Sequence, residues 1–213
     1  RQQSSEYVNE ILIASRHLNN LLSDILDWSA IQVDARRVEL MPTNVRQVMS
    51  ESTEMVRLQI KEQGLSLDVQ LPGAELTVLA DPRRLRQVLL NLLRNAIDAN
   101  REEHPEQISQ VQLHIQLVDE MVCIDVIDQG AGVSAEVREQ LFVPFYTSKA
   151  DGLGLGLSMS QGIVEGFGGS LNALPAESGL LIYADASIRF HAPMPSSRSR
   201  RSRSGSDVTF SPL

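Results

Sequence analysis

Cysteine is nearly absent: Cys123 is the single thiol among 213 residues. One cysteine cannot build a disulfide framework within a chain, which points to a reducing compartment. It lies in the alternating stretch Val122–Ile127, so a buried strand cysteine is expected rather than a reactive thiol. No apolar run approaches the roughly 20 residues of a membrane-spanning helix. The opening Arg1-Gln2-Gln3-Ser4-Ser5 has no signal-peptide character and reads as a cut through a longer protein. Excess positive charge is also missing. The net charge is −8, which argues against a nucleic-acid surface on the folded body. From Ser196 onward Arg198, Arg200, Arg201 and Arg203 face one acid, Asp207, so this tail carries +3 and the remainder −11. The basic run could touch nucleic acid or an anionic membrane, but a solubilising, disordered tail over Pro193–Leu213 is the expected reading. What is present is an ordinary 42% of apolar residues, enough for one sizeable core and a small extra element.

The first stretch, to about Val33, is polar with apolar residues at Val8, Ile11, Leu18, Leu22 and Ile25. With Ser15 in the gap these form a heptad seam, which Leu12, Leu21 and Leu26 widen. Such a helix needs partner helices to cover its stripe. Val38–Pro42 reads as an extended link. Asn44 is placed to cap a helix from Val45 to about Gln63, stopped by Gly64. Leu65–Leu71 alternates as a strand closed by Pro72-Gly73, and Thr77–Ala80 is a second, short strand. Asp81-Pro82 combines a capping carboxylate with proline at the first helical position, opening a helix to about Asn100. Val111–Leu117 and Met121–Ile127 form a hairpin about Val118-Asp119-Glu120. Short helices are expected over Ala135–Leu141 and Ser158–Gly166, and strands over Leu171–Leu174 and Leu180–Phe190. Interleaved elements with dominant hairpins suggest an α/β sandwich with a mixed sheet and helices on one face.

Four segments carry candidate chemistry. On the helix from Asp81, Asn91, Asn95 and Asp98 share one face beside the stripe Leu85, Leu89, Leu92 and Ala96. Their oxygens can ligate a hard cation such as magnesium, or they are simply polar helix residues. In Ile127-Asp128-Gln129-Gly130-Ala131-Gly132-Val133 an acid ends a strand and glycines follow. A pocketed carboxylate would accept an amino hydrogen and favour adenine over guanine; the alternative is a polar turn. In Phe142-Val143-Pro144-Phe145-Tyr146-Thr147-Ser148-Lys149 both phenylalanines should pack down. Thr147, Ser148 and Lys149 can face phosphates, although a lone lysine is commonly a solvated charge. Last, Asp151-Gly152-Leu153-Gly154-Leu155-Gly156-Leu157-Ser158 offers backbone N–H groups at a helix start, a setting for anions that alone is weak evidence.

In this order the four segments resemble the N, G1, F and G2 boxes of the GHKL superfamily, the group of gyrase B, heat-shock chaperone, histidine kinase and MutL ATPases. The resemblance covers roughly Met41 to Phe190. It implies an α+β fold, the two-layer Bergerat sandwich, preceded by a long bundle-forming helix. It implies ATP and Mg²⁺ as ligands. Asn95 would be the magnesium ligand, with Asn91 a phosphate-side contact and Asp98 on the same face. Asp128 would bind the adenine amino group, and Gly130 and Gly132 would line the base. Thr147, Ser148 and Lys149 would meet phosphates, and the run Gly152, Leu153, Gly154, Leu155 and Gly156 would wrap them. Asn91, Asn95 and Lys149 would serve the chemistry. The short lid between Lys149 and Gly152 is similar to that of sensors of the nitrogen-regulation and dicarboxylate type.

The superfamily's ATPase branches resemble one another in a glutamate, four residues before the magnesium asparagine, that acts as general base. Asn91 stands there, and a carboxamide cannot accept a proton at neutral pH. Transfer to another acceptor is therefore the better expectation. Asn19–Ile31 resembles the second helix of a histidine-kinase dimerisation hairpin, and Ala80–Ala96 the kinase version of the N box. The implied organisation is 1–37 as that helix, 38–192 as the catalytic ATP-binding domain and 193–213 as the tail. The implied activity is that of a bacterial two-component sensor histidine kinase. The γ-phosphoryl group of ATP would go to a histidine on a hairpin helix of the same or a partner chain, then to a response-regulator receiver domain. A homodimer through residues 5–33 is expected, no nucleic acid, and a cytoplasmic placement with room for a membrane anchor upstream. A GHKL-type ATPase and a non-catalytic binding module are the alternatives. The family's acceptor histidine, followed by an acid, is not in this sequence. His17 precedes Leu18, and His104, His114 and His191 read as structural.

Overall fold

A computed structural model describes Tyr7, Ile11, Leu12, Ser15, Leu18, Leu22, Ile25 and Leu26, then residues 39–71, 73, 75–103, 109–118, 121–149 and 152–174, and the backbone of 188–189. The eight early positions are helical and exposed, with Ile11 and Leu18 each at 67%. This agrees with an apolar stripe that finds no cover among the described residues. The basic tail lies outside them, as do His17, His104 and His191.

The chain enters the sandwich through β1 (Met41–Asn44). Met41-Pro42, expected as a link, is instead the outer half of a strand. It pairs antiparallel with β3 (Thr77–Ala80), and the buried Thr43 hydroxyl donates to the Ala80 carbonyl at 2.8 Å. The pairing partner lies far along the chain, so no local pattern announces it. The Asn44 side chain then accepts the Gln47 N–H and starts α1 (Val45–Glu62), which Gly64 at φ +69° ends. Val45, Val48, Met49, Val56 and Ile60 recur at helical spacing and are buried.

β2 (Ser66–Gln70) leads by way of β3 to α2 (Pro82–Glu103). The Asp81 carboxylate accepts the N–H groups of Arg83 and Arg84, as its sequence position predicts. Leu85, Val88, Leu89, Leu92, Leu93, Ala96 and Ile97 form its buried side. An Arg86–Glu51 ion pair ties α2 to α1. β4 (Gln110–Val118) returns beside β2 in parallel, so α2 is the crossover between two strands of one sheet. β5 (Met121–Ile127) completes a tight hairpin in which Val118 faces Met121. A short β6 (Ile188–Arg189) pairs antiparallel with β5, giving a mixed sheet of order β2-β4-β5-β6. Residues 180–187 and 190, also expected as strand, lie outside the described residues.

Val111, Leu113 and Ile115 of β4 and Val122, Ile124 and Val126 of β5 point to the same side as the buried faces of α1 and α2, and make one core with them. Each such side chain contributes about 1.5–3 kcal/mol on burial. Cys123 is buried in β5, as expected. α3 (Ala135–Gln140) is capped by Ser134, and α4 (Gly156–Gly166) adds Ile163 and Val164 to the core. Leu171–Leu174, expected as a strand, is irregular: Leu171 and Ala173 are buried while Asn172 and Leu174 are exposed. Alternation there marks a half-buried edge, and it is not accompanied by a described ladder.

Candidate nucleotide-binding site

A cleft of about 980 Å³ opens between α2, α4, the loop after β5 and the segment joining α3 to α4. That is the scale of a cofactor-sized pocket, about 300–1,000 Å³. Asn91, Asn95 and Asp98 line it from α2; Asp128, Ala131, Gly132 and Val133 from the loop; Thr147, Ser148, Lys149 and the whole run Gly152–Gly156 from the far wall. The four segments separated in sequence thus meet around one space.

Asn95 and Asp98 stand one turn apart and present oxygens to a single point. The Lys149 ammonium sits at that point, donating to Asn95 Oδ1 at 3.2 Å and to Asp98 Oδ2 at 2.6 Å. Two oxygens of this kind match the ligand preference of magnesium. Asn91 lies a turn earlier, where its Nδ2 donates to Ser160 Oγ of α4 at 3.0 Å. A Cβ at Gly156 would meet the Asn91 carboxamide oxygen, so α4 seats directly on this asparagine. Helix α4 begins at Gly156, two residues before the expected start. The last glycine of the run therefore belongs to the first helical turn, whose N–H groups have no intrahelical acceptor. Gly154 has φ +67° and packs on the Tyr146 carbonyl, and the Phe145 N–H donates to Gly154 O at 3.0 Å.

Asp128 is buried at 4% exposure and accepts the Gly130 N–H at 2.8 Å through Oδ1. A carboxylate has about four acceptor positions, so this bond leaves capacity for a ligand donor. Gly132 lines the cleft, whereas Gly130 turns to α2, where a Cβ would meet Ala99 at 2.8 Å. Phe142 packs against the core as expected, but Phe145 is 61% exposed at φ +69°. The turn that seats Gly154 directs the Phe145 side chain outward. At the start of α3, the Ser134 hydroxyl and then its own helix-start amide hold the Glu136 carboxyl below its ordinary value.

Two polar residues escaped the sequence reading. Asn100 is fully buried on α2. Its Oδ1 accepts the Gln129 N–H at 2.7 Å and its Nδ2 donates to Gln110 O at 3.3 Å. Gln110 N–H in turn donates to Gln129 Oε1 at 3.0 Å. This clamp joins α2, β4 and the loop that carries Asp128. Ser160 is the second, buried on α4 at 2% exposure. Arg83 and Arg94 also line the cleft and add positive charge to the α2 wall, beside Arg86, whose charge is paired with Glu51. Asn100→Leu removes the side-chain partner of the part-buried Gln129 N–H and Gln110 carbonyl, and is expected to cost about 1–3 kcal/mol. Urea unfolding of both chains measures it; an unchanged midpoint would show that the clamp is slack.

Residues 80–212 match the family described as histidine kinase-, DNA gyrase B- and HSP90-like ATPases. The chain belongs to this family. Within it the chain is 36% identical over 138 residues to the C4-dicarboxylate transport sensor protein DctB of Rhizobium meliloti, covering 65% of this chain and 22% of that protein. It is 33% identical over 156 residues to the sensor histidine kinase ZraS of Klebsiella oxytoca, covering 73% of this chain and 32% of that one. The chain therefore spans only a fifth to a third of these relatives' length. Among solved structures, full-length ShkA in complex with AMPPNP superposes at TM-score 0.69 with 26% identity, covering 89% of this chain and 40% of that chain. The histidine-kinase branch expected from Asn91 is the one to which the sensor histidine kinase ZraS belongs. The mixed sheet with helices packed on it is this family's sandwich.

Proposed function

We propose that this chain is the phosphoryl-donor part of a sensor histidine kinase. It binds ATP with Mg²⁺ and passes the γ-phosphoryl group to a histidine on a hairpin helix of its own or a partner chain, for relay to a response-regulator aspartate. The observation that carries this reading is the convergence of Asn95, Asp98 and Lys149 on one point, opposite the glycine run, with a carboxamide at position 91.

Asn95 would hold the metal, and the ion when bound neutralises charge on the phosphates. The Gly152–Gly156 amides and Lys149 would hold the phosphate oxygens in line for attack, and Asp128 would accept the adenine amino hydrogen. Asn91 cannot take a proton from water, and its amide is engaged by Ser160. This arrangement favours transfer over hydrolysis. The exposed helical stripe Ile11, Ser15, Leu18, Leu22 and Ile25 supports a homodimer through residues 5–33 of the intact protein, the single cysteine supports a reducing, cytoplasmic setting, and the acidic net charge supports a protein that binds no nucleic acid. The organisation into 1–37, 38–192 and 193–213 belongs to the same proposal.

The test is labelled ATP supplied with a separate hairpin protein that carries the histidine. Acid-labile label is expected on the hairpin, none with Asn95→Ala, and near-background hydrolysis without the hairpin. A hairpin that stays unlabelled while the chain hydrolyses ATP steadily would return the protein to the ATPase branch.

A further inference from the structure

Lys149 is placed by more than its own side chain. Its N–H donates to Thr147 Oγ1 at 3.1 Å, and its carbonyl accepts the Gly152 N–H at 3.3 Å, so its backbone is pinned at the root of the glycine run. From there the ammonium reaches across the cleft to Asn95 Oδ1 and Asp98 Oδ2. Both charged side chains remain about one-third exposed, at 33% and 39%. An ion pair so open to water adds little to fold stability. What it does control is access to two oxygens of the type a magnesium ion takes at about 2.0–2.1 Å. An ammonium within hydrogen-bond distance of the same oxygens and a divalent cation cannot be accommodated together, since like charges at such separations repel strongly.

We propose that Lys149 and the divalent cation exchange places. The ammonium holds the Asn95 and Asp98 oxygens, the arriving metal displaces it, and the ammonium passes to the phosphates that come with the metal. Asp98 is then the positioning residue of the exchange: its carboxylate anchors the lysine and so sets how much metal is needed to release it. No covalent bond changes, and the total charge of the cleft changes only by that of the incoming ligands. The proposal rests on the reading of Asn95 as the metal-holding residue.

The experiment is calorimetric binding of ADP by the full chain across a magnesium titration. Lys149→Met is expected to lower the magnesium midpoint by about threefold, the scale of one exposed ion pair. Lys149→Gln should do the same, and Lys149→Arg should leave the midpoint near wild type. In an Asp98→Asn background the effect of Lys149→Met should largely disappear, because the anchor it relieves is gone. If Lys149→Met weakens ADP equally at every magnesium level without moving the midpoint, the lysine is a phosphate contact only. The exchange is then wrong while nucleotide binding stands. If the wild-type chain binds no ADP at any magnesium level, the nucleotide reading fails, and the exchange with it.

Discussion

Asp128→Asn is expected to weaken ADP binding by about a hundredfold, the effect of a loss of some 2–4 kcal/mol at a buried, specificity-giving hydrogen bond. The carboxylate is almost wholly buried, and one oxygen is committed to the Gly130 N–H. Asparagine keeps that bond through its own oxygen, so the loop should hold its shape. Its amide nitrogen then points a donor where adenine also presents a donor. Two outcomes check the argument together. The thermal midpoint should barely move, and the ADP-to-GDP affinity ratio should fall, because guanine offers a carbonyl at the same ring position. An ADP affinity within twofold of wild type would remove Asp128 from the base-binding role.

Gly154→Ala should abolish nucleotide binding by a different route. Position 154 has φ +67°, a conformation that costs a side-chain-bearing residue about 1–2 kcal/mol. The added Cβ would also lie 2.6 Å from the Tyr146 carbonyl carbon and 2.7 Å from that of Phe145. These are backbone atoms with nowhere to rotate, so overpacking adds about 1–3 kcal/mol. The loop cannot keep both its seat and its Phe145–Gly154 hydrogen bond. ADP affinity is expected to drop by at least about a hundredfold, with circular dichroism and the unfolding midpoint of the core little changed. Retained affinity would mean that the phosphates are held elsewhere in the cleft.

The parts of the fold legible in the sequence were those with local causes. Asn44 and Asp81 announce helix starts because a side-chain oxygen and a helical amide lie within three residues of each other. The β4–β5 hairpin is legible because its partner strand follows two residues on. The β1–β3 pair has no local sign in the sequence, because Met41 meets Ala80 only after α1 and β2 have intervened. Leu171–Leu174 misled in the opposite sense, since its alternation reports burial and not pairing. In the site, the glycine run and the Asn91–Asn95–Asp98 face were readable from spacing. Asn100 was readable in principle: with Leu89, Leu93 and Ala96 it continues a buried stripe at helical spacing, and a polar residue at such a position calls for partners. Ser160, between Gly156 and Ile163 on α4, carries the same signal. The outward turn of Phe145 had no such sign, because its cause is the packing of Gly154.

The parallel pairing of β2 with β4 bears on how the molecule assembles. The Ser66 N–H finds its acceptor at Ser109, 43 residues later, so this strand contact cannot close until α2 has crossed. The bonds that close the glycine wall and α4 onto α2 include spans of 54 residues from Asn95 to Lys149 and 69 from Asn91 to Ser160. Closure over such spans is slow compared with helix growth. Helix α2 is thus in place before the glycine wall reaches it, and the pocket is among the last parts of the chain to form. A polypeptide folding as it leaves the ribosome would carry α1, α2 and the β2-β4-β5 strands before it could hold a nucleotide, and would gain the α4 part of the core only together with the glycine wall.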